Sequence, residues 1–204
     1  MEEKTLGIAR KLCEETRFMT VQEYGKVFIY NGGNYVPFAT LKADALLHKL
    51  IAEHDNKLSP PKREHVIRNI EMLTAVPAAD INPEGIFCFK DCLFDVNTGN
   101  YGKHSPDYKI TIQLPYEIKS SDSCYLWNKF IEEVCDGNSE KAGVLQEFAG
   151  YCLSQSCHLE KALFLIGTGA NGKSVFTDTL TKVFGRQNVS NVSLEHLSNP
   201  VTRC

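Results

Sequence analysis

Apolar positions along this 204-residue chain change their spacing repeatedly, and each change predicts a change of element. Over residues 5–17, Leu6, Ala9, Leu12 and Cys13 recur three and four apart, which predicts a short amphipathic helix. "KVFIYNGGNYVPF" (Lys26 to Phe38) alternates instead and predicts two short strands about the turn Asn31-Gly32-Gly33-Asn34. Thr40 is the expected cap of a following helix whose apolar face carries Ala43, Leu46, Leu47, Leu50 and Ile51. Pro60 and Pro61 are expected to break the chain, and Val66, Ile67, Ile70 and Leu73 then mark a further helix ending before Pro77.

From about Ile81 to Ile118 the pattern alternates again, with turn clusters at Asn97–Asn100 and His104–Asp107, and predicts β structure. The helical period returns at Leu126, Trp127, Phe130, Ile131 and Val134, with Gly137 as the stop. Trp127, the only tryptophan, is placed in the core by its spacing. A second helix carries Val144, Leu145, Phe148, Tyr151 and Cys152. The apolar run Ala162–Ile166, bounded by glycine, predicts a buried central strand. Val175, Phe176, Leu180 and Val183 predict a last helix, closed by Gly185.

Between that strand and helix lies Gly167-Thr168-Gly169-Ala170-Asn171-Gly172-Lys173-Ser174, which fits G-x-x-x-x-G-K-[ST], the P-loop or Walker A pattern. Glycines let backbone N–H groups close around phosphate oxygens without a Cβ in the way. A helix start adds unpaired donors and a positive dipole end, here shared with Val175. Lys173 is the expected contact to the β- and γ-phosphates, and the Ser174 hydroxyl the expected Mg2+ ligand. These two are the candidate catalytic residues, and ATP with Mg2+ the expected cofactors. Hydrolysis also needs a carboxylate on another strand and an arginine. After Gly185 the sequence has no apolar strand ending in Asp or Glu, and Glu195 lies in a polar stretch. The chain therefore reads as the front part of a longer ATPase.

Composition narrows this only modestly. Net charge is −3, a weak footprint for a dedicated nucleic-acid binder. The one dense basic patch, Lys57–Arg68, reads as a solvated helix start or as a DNA contact. No apolar run approaches the roughly 18 residues of a membrane span, and the charged N-terminus is no signal peptide, so a cytoplasmic location is expected. The eight cysteines read as buried reduced thiols, with zinc at Cys88/Cys92 or Cys152/Cys157 and disulfides as the alternatives. His104, in a turn beside a proline, reads as structural or exposed, with ligand or base as the alternative.

With these stretches in hand, the chain resembles the phage and plasmid primase-helicases, whose motor is a superfamily 3 helicase of the AAA+ class. "GTGANGKS", with Asn171 before the second glycine, is similar to that family's P-loop. "KVFIYNGGNYVPF", "FDVNTGNYGKHSPDYKITIQLPYEI" and "CYLWNKFIEEVCDGNSEKAGVLQEFAGYCLSQS" resemble the domain that precedes the motor in phage primases and poxvirus NTPases. The resemblance runs from about Thr20 to Pro200 and includes "NVSNVSLEHLSNP" after the P-loop. It implies an α+β N-terminal domain of helices and short antiparallel strands over residues 1–158. Residues 159–204 would be the first strand, P-loop and helix of a truncated α/β AAA+ domain. It further implies ATP-dependent DNA unwinding in phage or prophage replication by a ring, a hexamer in the parent protein. The family's second acidic motif, sensor, arginine finger and primase site have no counterpart here. The other reading is a catalytically inactive fragment that acts in oligomerisation, DNA loading or partner binding. Two departures stand out: Asp91-Cys92 where the family has Asn-Gly at a hairpin turn, which is expected to alter that turn, and the ending "VTRC".

Overall fold

The computed structural model describes residues 2–37, 41–118, 124–154, 157–193 and 196, without the side chains of 2 and 41–46. The chain divides into two compact units, Met1–Gln113 and Leu114–Cys204. The boundary expected at 158 thus falls inside the second unit. The expected cap at Thr40, the face residues Ala43 and Leu46, Glu195 and the ending at Cys204 lie outside the described residues or side chains.

The first unit is α+β. Helix α1 (Glu2–Glu15) leads into β1 (Phe18–Val21), β2 (Lys26–Tyr30) and β3 (Tyr35–Pro37), followed by α2 (Leu41–His54), α3 (Pro60–Leu73) and β4 (Ala75–Val76). The four strands form one sheet in the order β3-β2-β1-β4, antiparallel except for β1 with β4. The expected hairpin is present, with Tyr30 opposite Tyr35. Asn31 closes its turn by accepting the amides of Gly33 and Asn34, at 2.8 and 2.9 Å. Strand β1 was not legible in the sequence. Its four residues are all buried, so no polar alternation marks them.

The core of this unit lies where α1 and α3 cross the sheet. Ile8, Ala9 and Leu12 of α1 meet Val66 and Ile70 of α3, with Leu47 and Ile51 of α2 and Leu58 beside them. Ala9, Ile51, Val66 and Ile70 are 0% exposed. Pro60 and Pro61 do not separate two elements as expected. They begin α3, behind Ser59 at its N-cap, because the first helical positions have no intrahelical N–H bond to lose. The basic Lys57–Arg68 stretch is accordingly a solvated helix start, in which Arg63 Nε donates to Leu58 O at 3.1 Å.

The expected β region is shorter than its pattern. Strands β5 (Ile86–Cys88), β6 (Leu93–Asp95) and β7 (Asn100–Gly102) form a three-stranded antiparallel sheet. Asp95 accepts the Asn97 amide at 2.9 Å and the Thr98 hydroxyl at 2.8 Å, and Gly99 turns at φ +69. The Thr98 hydroxyl, with backbone amides after it, holds the Asp95 carboxyl below its usual pKa. Beyond Gly102 the first unit has no further strand among its described residues, and a 3-10 turn at Pro106–Tyr108 with a left-handed Lys109 bends the chain. It is tied to the rest of the unit by side-chain amides instead. Asn34 Nδ2 donates to Thr111 O at 2.9 Å, and Asn82 Oδ1 accepts the Thr111 amide at 2.7 Å. The Asp91-Cys92 turn tolerates its cysteine, since Lys90 and Asp91 occupy the corner. Cys92 closes it by accepting the Phe89 amide at 2.8 Å, outside the positive-φ region. His104 is structural, as its Nε2 donates to Phe89 O at 2.9 Å.

The second unit holds α4 (Tyr125–Val134), α5 (Ser139–Leu153) and α6 (Lys173–Phe184). Gly137, at φ +70, stops α4 as expected by donating to Glu132 O at 2.9 Å. Gly185, at φ +88, follows the last residue of α6. Trp127 is half-buried and stacks on Phe176 of α6 at 5.8 Å between ring centroids.

The cysteines correct an expectation, since only some are buried. Cys88 and Cys135 are 2% exposed, whereas Cys124, Cys152 and Cys157 lie on the surface. Burial also pushes the Cys88 thiol up, against the hydrogen bond from Gln113. Iodoacetamide at mildly alkaline pH should therefore label Cys124 and Cys157 well before Cys88, read by peptide mass spectrometry. Equal rates would contradict the burial.

Candidate functional site

The glycine-rich segment singled out by the sequence lies in the second unit, and its two flanks differ. The expected strand Ala162–Ile166 does not form. The segment has no strand beside it among the described residues, and Phe164 and Ile166 are 73% and 92% exposed. A strand exists only through its ladder, so an apolar run alone does not make one. On the other flank, α6 begins directly at Lys173, as the sequence predicted.

Three left-handed residues bend the loop between them. Gly169 has φ +115, Ala170 φ +47 and Gly172 φ +80. Glycine is demanded at Gly172 for a further reason. A Cβ on Gly172 would lie 2.6 Å from Val134 Cγ1 and 3.0 Å from Phe130 Cε2, where the loop meets α4. A Cβ on Gly167 would meet only the movable ends of the Asn171 and Lys173 side chains.

Lys173 turns back over the loop. Its ammonium donates to Gly167 O at 3.1 Å and to Asn171 Oδ1. Ser174 and Val175 are exposed at the start of α6, as are Thr168, Gly169 and Ala170 in the loop. The first α6 backbone bond runs from Phe176 N to Gly172 O at 2.9 Å, so the amides before it have no intrahelical acceptor. Residues 167–175 thus bring together one ammonium, the hydroxyls of Thr168 and Ser174 and a helix N-terminus, a donor set suited to an anion. No described carboxylate is hydrogen-bonded or ion-paired to Lys173. Beside the loop lies a cavity of about 620 Å3 lined by Val134, Leu145, Leu165, Asn171, Lys173 and Phe176, among others. Among the described residues no group of three or more His, Cys, Asp or Glu is placed to hold a metal ion.

The first unit holds a second cleft, of about 420 Å3, that the sequence reading missed. Arg17, Tyr35, Asp107 and Lys109 line it, with Leu73 and Pro106. Arg17 and Lys109 are 92 positions apart (109 − 17), and no local spacing links these residues.

The first unit is an α+β module of helices and short, mostly antiparallel strands, and no helix among the described residues is long and apolar enough to cross a membrane. The family model described as D5 N terminal like matches residues 5–136, well over half of the chain. The chain belongs to this family, a primase-helicase-type N-terminal module, and the expected upstream domain is borne out over that range. The chain is also similar to the uncharacterized mitochondrial protein ymf21 of Marchantia polymorpha. The two are 22% identical over 178 residues, covering 81% of this chain and 88% of that one.

Proposed function

We propose that this chain is the front part of a replicative primase-helicase whose segment Gly167–Val175 binds the phosphates of Mg2+-ATP. The amides of Gly167, Thr168, Gly169, Ala170, Asn171 and Gly172, with that of Val175, would surround the β- and γ-phosphates. Lys173 would exchange its Gly167 and Asn171 partners for phosphate oxygens, and Ser174 would ligate Mg2+. ATP bound there supplies the phosphoanhydride whose hydrolysis would drive DNA unwinding by a ring, a hexamer in the parent protein. The observation that supports the reading is the way the glycine loop runs straight into the start of α6 with the ammonium held across it. Membership in the D5 N terminal like family supports the setting in DNA replication. The compartment would be a bacterial cytoplasm in the phage case, or a mitochondrion if the Marchantia relative is the better guide.

A second reading is favoured by the unpaired, exposed segment Ala162–Ile166. In it, this chain binds nucleotide weakly or not at all and acts as an oligomerisation, DNA-loading or partner-binding module.

Titration calorimetry of Mg2+-ATP into the chain tests the first reading. Binding is expected, weakened at least about tenfold in Lys173→Ala, the loss of one charge-assisted contact. ATP turnover is expected to be weak or undetectable in both. No heat from the unaltered chain would refute nucleotide binding and leave the second reading.

A further inference from the structure

The cleft in the first unit has a donor without a partner among the described residues. Tyr35 is 5% exposed. Its backbone amide donates to Ile110 O at 2.7 Å, and its ring lies 5.3 Å from that of Tyr30. Its hydroxyl makes no hydrogen bond among the described residues, although it is not sealed from solvent. A phenol this deep normally finds a partner. Burial pushes the Tyr35 phenol up, against the pull of the nearby Arg17 guanidinium, so the group remains an O–H donor at neutral pH.

The other polar groups of the cleft are mostly donors as well. Arg17 is exposed, and its guanidinium has no hydrogen bond or ion pair among the described residues. Lys109 sits at φ +51, and its ammonium reaches Asp80 at 3.3 Å, leaving donors to spare. The acidic group on the wall, Asp107, already accepts from the Ser105 hydroxyl at 3.1 Å. Beside these donors are apolar surfaces, Pro106 and the 41%-exposed Leu73. Donors next to an apolar wall suit an anion that carries a flat apolar group, and about 420 Å3 falls within the range of small-ligand sites.

We propose that this cleft holds one nucleotide of single-stranded DNA, with its phosphate between Arg17, Lys109 and the Tyr35 hydroxyl and its base against Leu73 and Pro106. The choice of DNA rests on the replication reading above, but the site shares no residue with the Lys173 loop. Tyr35→Phe is the decisive variant, because the hydroxyl makes no hydrogen bond among the described residues and its loss is expected to leave the melting temperature unchanged.

The test is fluorescence anisotropy of a labelled oligothymidylate with the full chain, without ATP, between about 50 and 200 mM salt. The unaltered chain is expected to bind. Tyr35→Phe should weaken binding about 2- to 10-fold, the worth of one hydrogen bond. Arg17→Ala should reduce the slope of log K against log salt by about 0.7, the value for one single-strand phosphate contact. Lys173→Ala should bind as the unaltered chain does, which separates this outcome from failure of the nucleotide reading. No binding by the unaltered chain overturns the proposal. So does unaltered affinity in Arg17→Ala or Tyr35→Phe, or competition by inorganic phosphate as effective as by unlabelled oligonucleotide.

Discussion

An Ile70→Ala variant is expected to lose about 2–5 kcal/mol of unfolding free energy in the first unit. Ile70 is 0% exposed on α3 and packs in the cluster with Ile8, Leu12, Leu47, Ile51 and Val66. Truncation removes three carbons from water-free contact and leaves a space that two helices and a sheet cannot close without shifting. Domains of ordinary stability have about 5–15 kcal/mol in all, so this is a large share. Amide hydrogen exchange read by mass spectrometry assigns the loss to α1 and α3, and urea denaturation gives its size. Met72→Ala is the control: the same helix, but 64% exposed, and an expected change within about 0.5 kcal/mol. Equal effects of the two would mean that α3 does not bury the face described.

The second large effect is expected at Gly172. Alanine there meets two separate obstacles. The backbone is at φ +80, where an L-residue costs about 1–2 kcal/mol. The new Cβ would also lie 2.6 Å from Val134 Cγ1 and 3.0 Å from the Phe130 ring, adding about 1–3 kcal/mol of overpacking. The release is expected to push α6 away from α4 and to break the stack of Trp127 on Phe176. Trp127 is the only tryptophan, so its emission should shift to the red. The two costs can be told apart. Adding Val134→Ala to Gly172→Ala should recover the Val134 share of the steric cost and leave the backbone part and the Phe130 contact. Gly169→Ala, at φ +115 with open space around the new Cβ, should show backbone strain alone. Native-like Trp127 emission in Gly172→Ala would show that the loop does not meet α4 as described.

What could be read from the sequence was whatever depends on near neighbours in the chain. Spacing of three and four marked the helices through Ile70, Trp127 and Phe176. Glycine and asparagine marked the turns at Asn31–Asn34, Gly99 and Gly137, because left-handed backbone selects those residues locally. The pattern Gly167–Ser174 marked the loop before α6 for the same reason.

What only the tertiary structure decided depends on partners far away in the chain. The short strand Phe18–Val21 exists because it pairs with Lys26–Tyr30 on one side and with Ala75–Val76 on the other. Ala162–Ile166, more strand-like by composition, stays unpaired among the described residues because no neighbour offers it a ladder. Arg17, Tyr35 and Lys109 share a cleft only after β1, β3 and the turn at Pro106 have been brought together. A helix satisfies its own backbone within four residues and so announces itself. A strand or a cleft is completed by distant groups, and the fold supplies them.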